Sequence, residues 1–329
     1  MKVLVLGGAG YIGSHTVYKL IEEGHEVVVF DNFETGHIEA VHKDAKLYKG
    51  DLRNREEIDS VLDNEKDIDA VIHFAANSLV GESMVNPLKY YDNNLNGTKV
   101  LLESLVAHGI KNIVFSSTAA TYGEPIHTPI LERDPTNPTN CYGETKKAME
   151  RMFYWTEKAH GVKYVSLRYF NACGAHVSGT IGEAHNPESH LIPIILQVAN
   201  GTRDHISVYG TDYDTPDGTC IRDYIHVTDL AQAHILAVKY LLDGGESDIF
   251  NLGNGVGFSV REVIQTAQEV TGKDIKIMYE GRRAGDPATL IASSAKAKLV
   301  LGWKPEFDNL KTIIETAWKW HSKHPNGYQ

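Results

Sequence analysis

The run Met1-Lys2-Val3-Leu4-Val5-Leu6-Gly7-Gly8-Ala9-Gly10-Tyr11-Ile12-Gly13 decides the fold. An apolar strand-like segment meets a glycine turn, and the turn opens an amphipathic stretch over Ile12–Glu23. The glycines satisfy both Gly-x-Gly-x-x-Gly and Gly-x-x-Gly-x-x-Gly. Either spacing lets the backbone turn tightly and approach a pyrophosphate, while the helix start offers free N–H groups and a partial positive charge. A turn made only for packing also uses glycine. The strand before it and the helix after it are the context that a dinucleotide site requires.

Working outward, strand-like runs fall at Lys2–Leu6, Glu26–Phe30, Lys46–Lys49, Ala70–Phe74, Asn112–Ser116 and Lys163–Tyr169. Helical patterns over Arg55–Glu65 and Asn94–Ala107 lie between them. This alternation predicts an α/β fold, a Rossmann-type doubly wound parallel sheet, with ligand at the carboxyl ends of the strands. After Tyr169 the pattern turns irregular: a polar loop at Gly174–Asn186, a helix at Leu191–Asn200, a loop or hairpin at Tyr209–Gly218 and a helix at Thr228–Leu242. A strand-like Asp248–Leu252 and two more helical stretches follow. The expected division is a dinucleotide-binding domain over 1–175 and a smaller substrate-binding α/β lobe over 176–329, with the segment 222–244 packing back on the first domain.

Asp31 stands at the end of the second strand, followed by Asn32. A carboxylate there accepts hydrogen bonds from ribose hydroxyls and repels a 2′-phosphate, which favours NAD over NADP. Asp51 and Leu52, after the third strand, are placed to reach the adenine edge, although Asp51 also suits a plain turn carboxylate. Phe74-Ala75-Ala76 ends the fourth strand, where small residues let backbone pass close to a cofactor.

Tyr142 and Lys146 are separated by one helical turn, downstream of Ser116-Ser117-Thr118. Residues i and i+4 share a helix face. A free phenol has a pKa of about 10, and a neighbouring ammonium favours the phenolate. A hydroxyl, a phenol and an ammonium in register are therefore a candidate proton-transfer group, in which Lys146 is expected to depress the Tyr142 pKa.

Bulk properties exclude several classes. The 329 residues carry a formal net charge of −11 with no basic block, which argues against a nucleic-acid or anionic-membrane surface. The first apolar run is too short for a signal peptide or a membrane helix. Cys141, Cys173 and Cys220 form no CxxC, so a reducing cytoplasm is the natural setting. The 16 histidines show no HExxH, and no metal site is expected.

With these motifs in order, the chain resembles the extended short-chain dehydrogenase/reductase family. His73-Phe74-Ala75-Ala76, Val80-Gly81-Glu82-Ser83, Asn93-Asn94-Leu95-Asn96-Gly97-Thr98, Arg168-Tyr169-Phe170-Asn171, Gly174-Ala175-His176, Arg222-Asp223-Tyr224-Ile225-His226-Val227 and His324-Pro325-Asn326-Gly327-Tyr328 narrow it to a resemblance to the UDP-glucose 4-epimerases. That resemblance spans the whole chain. It implies an isomerase of galactose metabolism that interconverts UDP-galactose and UDP-glucose through a 4-keto sugar on tightly bound NAD. It implies Tyr142, Lys146 and Thr118 as catalytic residues. NAD would be held by Gly7, Gly10, Tyr11, Ile12, Gly13, Asp31, Asn32, Asp51, Leu52, Phe74, Ala75, Ala76, Asn93, Ser116, Tyr142, Lys146 and Tyr169. The UDP-sugar would meet Thr118, Tyr142, Asn171, His190, Leu191, Tyr209, Arg222, Arg283, Asp286 and Leu290. Within that set the two arginines would clamp the diphosphate, Asp286 would take the uridine ribose and Tyr209 would face the uracil. Homodimers are common in the family, and Asn94–Ala107 with Ala148–His160 would form the pairing bundle.

Three positions depart from the family pattern. Ser78 replaces a lysine that reaches the cofactor pyrophosphate, which points to looser NAD, with Asn77 or backbone compensating. His190 replaces an asparagine. Leu290 stands where a tyrosine excludes N-acetylated sugars and a small residue admits them, and leucine leans towards tolerating UDP-GlcNAc and UDP-GalNAc. A 4,6-dehydratase would need an acid and a base after the threonine, where Ala119-Ala120 supplies neither. A net reductase would have no use for the arginine pair. A non-catalytic NAD-binding protein would have no reason to keep the hydroxyl, phenol and ammonium in register.

Overall fold

The computed structural model describes residues 1–283 and 286–328. Seven strands form one parallel sheet: β1 (Lys2–Leu6), β2 (Glu26–Asp31), β3 (Lys46–Lys49), β4 (Ala70–His73), β5 (Asn112–Ser116), β6 (Lys163–Tyr169) and β7 (Asp248–Leu252). Their spatial order is β7-β6-β5-β4-β1-β2-β3. Val5 in β1 lies between Val29 of β2 and Ile72 of β4, all in parallel register. The order reverses between β1 and β4, so the crevice at their carboxyl ends is the expected ligand site. The doubly wound α/β fold expected from the strand–helix alternation is the one observed.

Period-two alternation explains why the sheet is covered on both faces. Val3, Val5, Val27, Val29 and Ile72 point to one face and join residues of α1 (Tyr11–Glu22). Leu4, Leu6, Val28, Phe30 and Val71 point to the other. There they meet α2 (Arg55–Asn64), α3 (Gly97–Ala107) and α4 (Cys141–His160). Helix α4 starts where the Asn140 side chain accepts from the Gly143 N–H at 2.8 Å, and ends at Gly161 in the left-handed region.

The chain then makes a lobe with its own core. It contains α5 (Leu191–Asn200), α7 (Val260–Thr271) and α8 (Leu310–His321), with α6 (Val227–Leu242) between them in the chain. Helices α5, α7 and α8 pack around the parallel strand pair Ile206–Tyr209 and Ile277–Glu280. Helix α6 instead contributes Leu230, Ala233, Ile235 and Val238 to the sheet face shared with α1. Asp248–Leu252 likewise returns to the main sheet beside β6.

Most boundaries fall within a residue of expectation, but the helix expected from Asn94 starts three residues later. Helix α3 begins at Gly97, and Tyr91–Asn96 before it forms a π-helical turn. The buried Asn94 side chain is engaged by the Asn77 backbone at 2.8 and 3.1 Å and by the Thr145 hydroxyl at 3.0 Å. The wider turn carries that side chain to both partners, and hydrophobic periodicity gives no sign of it. Among the described residues, no helix is long and apolar enough to cross a membrane.

Candidate active site

A cleft of about 1080 Å³ opens at the carboxyl ends of the strands, floored by the glycine loop and roofed by the second lobe. Its wall contains Gly7, Gly10, Tyr11, Ile12, Gly13, Asp31, Asn32, Asp51, Leu52, Phe74, Ala75, Ala76, Asn93, Ser116, Thr118, Tyr142, Lys146 and Tyr169. Asn171, His190, Arg222, Arg283, Asp286 and Leu290 line it from the far side. Leu191 and Tyr209 do not line it, against expectation. Leu191 packs into the second-lobe core, and Tyr209 lies under the Arg283 guanidinium, 3.8 Å from its ring centroid.

The floor is shaped for close approach. Gly7 has φ +78°, and a Cβ there would sit 2.7 Å from the Ala75 nitrogen. A Cβ on Gly13 would sit 2.1 Å from the Gly7 carbonyl oxygen. No side chain caps Gly10, so the first turn of α1 faces the cleft with its own N–H groups. Asp31 is buried, and its carboxylate accepts from the backbone N–H groups of Ala9 at 2.9 Å and Phe33 at 2.8 Å. Burial raises its pKa, with those two bonds opposing. This glycine cradle, backed by a fixed carboxylate, fits the pyrophosphate and ribose of a dinucleotide. Asp51 is gripped by Arg53 at 2.7 and 2.9 Å, which holds its carboxyl well below the usual range.

Tyr142 and Lys146 leave the first turns of α4 towards the end of β5. Gly143 makes this possible, because a Cβ there would lie 2.6 Å from the Ala120 carbonyl oxygen. The Ser83 hydroxyl accepts from the Tyr142 N–H at 3.1 Å. Thr118 caps the short turn Ala119–Thr121 by accepting from Ala120 N–H at 3.1 Å. The Lys146 ammonium donates to the Ser116 carbonyl at 2.8 Å and lies 5.8 Å from the Tyr142 ring centroid. Within the protein's own residues the expected depression of the phenol is not met. Burial pushes Tyr142 up to about 12, with a hydrogen bond from Thr118 opposing. Burial also pushes Lys146 down to about 7, against the pull of Glu150. Burial dominates both shifts, so a phenolate here needs further positive charge.

Across the cleft the cations already have partners. Arg222 pairs with Asp286, rather than with its neighbour Asp223, and also donates to the Ile221 carbonyl at 2.8 Å. Asp223 turns inward and accepts from the backbone of Asn254 at 2.7 Å and Ala292 at 3.2 Å. Asn171 donates to the Asp223 carbonyl at 2.9 Å.

Residues 3–253 match the NAD dependent epimerase/dehydratase family. The chain belongs to that family. It is 57% identical to a UDP-glucose 4-epimerase of Halalkalibacterium halodurans over 328 residues, covering 100% of this chain and 98% of the relative. A crystal structure of a UDP-glucose 4-epimerase superposes with a TM-score of 0.98 at 56% identity, covering 100% of both chains. The UDP-glucose 4-epimerase of Bifidobacterium longum, solved in complex with NAD+ and UDP, gives 0.94 at 40% identity, again over 100% of both.

Several groups of this epimerase/dehydratase site escape a reading of the sequence. Behind Lys146, Glu150 is buried and takes Arg168 at 2.9 and 2.5 Å and the Ser117 hydroxyl at 2.6 Å. Arg203 also lines the cleft. At the cleft edge, Glu183, His185, Glu188 and His190 converge. Their spacing, Glu-x-His-x-x-Glu-x-His, is the signal in the sequence that shows this grouping. Burial opposes charge on the histidines, yet contacts with the two carboxylates raise His185 to about 9 and His190 to about 10.

Proposed function

We propose that the chain is a UDP-sugar 4-epimerase that interconverts UDP-galactose and UDP-glucose on a retained NAD. One observation carries the reading: a buried phenol, ammonium and threonine hydroxyl face a cleft whose opposite wall presents Arg222 and Arg283. The first group suits reversible oxidation of a secondary alcohol, and the second suits a diphosphate.

Gly7, Gly10 and Gly13 would cradle the pyrophosphate of NAD, Asp31 the adenosine ribose, and Lys146 with Tyr142 the nicotinamide ribose. When bound, NAD supplies a hydride acceptor at C4 of the sugar and a cationic ring that favours the Tyr142 phenolate. Tyr142 Oη takes the proton of the 4-hydroxyl and returns it after the 4-keto sugar has turned over. Thr118 holds the reacting oxygen. Ala119 and Ala120 put neither acid nor base beside C5 and C6, so elimination of water has no catalyst. Arg222 and Arg283 clamp the diphosphate, Asp286 takes the uridine ribose, and Asn171 and His190 contact the diphosphate-sugar region. Leu290 leaves room for an N-acetyl group.

We read the chain as two lobes divided at 175/176, which the separate core around α5, α7 and α8 supports. Exposed Trp155 on α4 supports the homodimer. Three unpaired cysteines support a reducing compartment. The test is to incubate the purified protein, without added cofactor, with UDP-galactose and separately with UDP-GalNAc. The expected products are UDP-glucose and UDP-GlcNAc. No conversion of UDP-galactose, even with NAD supplied, would overturn the reading.

A further inference from the structure

The segment Glu183-Ala184-His185-Asn186-Pro187-Glu188-Ser189-His190 leads into α5 and forms the rim of the cleft. It brings four side chains to one point, with one ligand atom from each lying within 4.8 Å of all the others. Glu183 Oε1 is 3.1 Å from His185 Nδ1 and 2.8 Å from His190 Nδ1. Glu188 Oε2 is 3.7 Å from His185 Nδ1, and Glu188 Oε1 is 3.1 Å from His190 Nδ1. Bonds of about 2.0–2.1 Å to a tetrahedral zinc ion place neighbouring donors about 3.3 Å apart. The four carboxylate–imidazole separations, from 2.8 to 3.7 Å, bracket that edge length.

Ion pairing accounts for only part of the group, in which His190 Nδ1 and Glu188 Oε1 share a hydrogen bond of 3.1 Å. Glu183 keeps 3% of its side-chain surface exposed, and its Oε1 has no hydrogen-bond partner despite the two nearby ring nitrogens. His185 Nδ1 is likewise buried without one. Glu183 Oε1 and His185 Nδ1 are thus left without a partner inside the cluster of four donors. Burying an unpaired carboxylate oxygen is costly, and a cation at that point removes the cost. Glu188 is already oriented, because its Oε1 accepts from the backbone N–H groups of Ser189 at 2.8 Å and His190 at 2.9 Å. Such outer bonds hold metal-binding carboxylates in place.

We propose that Glu183, His185, Glu188 and His190 bind one zinc ion, which clasps this rim segment to the start of α5. Two imidazoles and two carboxylates suit zinc's four-coordinate preference. Calcium and magnesium want six or more oxygens, which this set does not offer. Four protein donors close the coordination sphere, so the ion has a structural role and does not act on the sugar. The clasped rim touches the dinucleotide floor at two points. The Tyr11 ring meets His185 edge-on at 6.1 Å, and His37 Nε2 lies 2.8 Å from the Ala184 carbonyl. The ion would therefore stiffen the wall that faces the glycine loop.

The test uses the untagged full chain, purified from zinc-supplemented medium, with metal content measured by plasma mass spectrometry after gel filtration. About one zinc per chain is expected, together with a rise in melting temperature when zinc is returned to chelator-stripped protein. Cobalt(II) in its place should give the intense visible absorption of a four-coordinate site. His185→Gln and Glu188→Gln should each weaken zinc binding by at least tenfold. Zinc well below one per chain with no thermal shift on titration overturns the proposal, as does equal retention by both variants. If a variant fails to fold, the parent's metal content and cobalt spectrum still decide. None of these readouts depends on epimerase activity.

Discussion

The two walls of the cleft are prepared to different degrees. On the sheet side, Lys146 and Thr118 are buried and fixed by bonds to the backbone of β5 and its following turn, and half-buried Tyr142 is held beside them through its N–H to Ser83. On the lobe side, partly buried Arg222 rests against Asp286 and exposed Arg283 lies over the Tyr209 ring. The first wall has its geometry before any substrate arrives, and its residues bear the strain of desolvation. On the proposed function, a diphosphate arriving at the second wall would have to displace the Asp286 and Tyr209 contacts of its arginines. On the same reading, preorganisation is concentrated where the proton would move, and adaptability where the nucleotide would bind.

The largest way to break this contrast is Tyr142→Phe. It should lower kcat by about 10³-fold or more while NAD stays bound, because only the proton carrier is lost. Steady-state turnover and the cofactor content of the purified variant check both halves of that statement. Next is Arg168→Met, which leaves the Glu150 carboxylate buried and unpaired behind Lys146. Its expected cost is about 3–5 kcal/mol in denaturant unfolding.

Lys146→Met tests the strain directly. In the fold Lys146 sits at about 7, against 10.5 for the unfolded chain, so between those values the unfolded state binds the extra proton. Stability therefore rises with pH across that window, and the full cost is present below about pH 7. The cofactor-free variant should be a few kcal/mol more stable than the parent at pH 7 and below, and that gain should shrink towards pH 10.5. A gain constant with pH would mean the lysine is not strained by burial. The smallest effect is expected on the adaptable wall, where Arg283→Ala should weaken UDP binding by about 10- to 100-fold and leave the bound-sugar step alone. Calorimetry with UDP reads it.

The same contrast governs what was legible in the sequence. The sheet side could be read because its signals are local: alternation in Val3–Leu6, glycines at fixed offsets, and a tyrosine and lysine one helical turn apart. The lobe side depends on partners distant in the chain. Arg222 finds Asp286 rather than the adjacent Asp223, and nothing in the spacing says so. Glu150 and Arg168 lie on a helix and a strand whose meeting is set by the sheet order. The Tyr142 phenol was the hardest to judge, because desolvation depends on burial that a motif does not contain.

On the proposed function, one retained NAD removes and returns the same hydrogen at sugar C4 while Tyr142 borrows and returns the proton. This cycle is tested most directly by converting UDP-galactose in D₂O without added NAD and examining C4 of the UDP-glucose by NMR. The expected result is full conversion to equilibrium with no deuterium on carbon 4. Deuterium at that carbon, or an absolute need for added reduced cofactor, would contradict it.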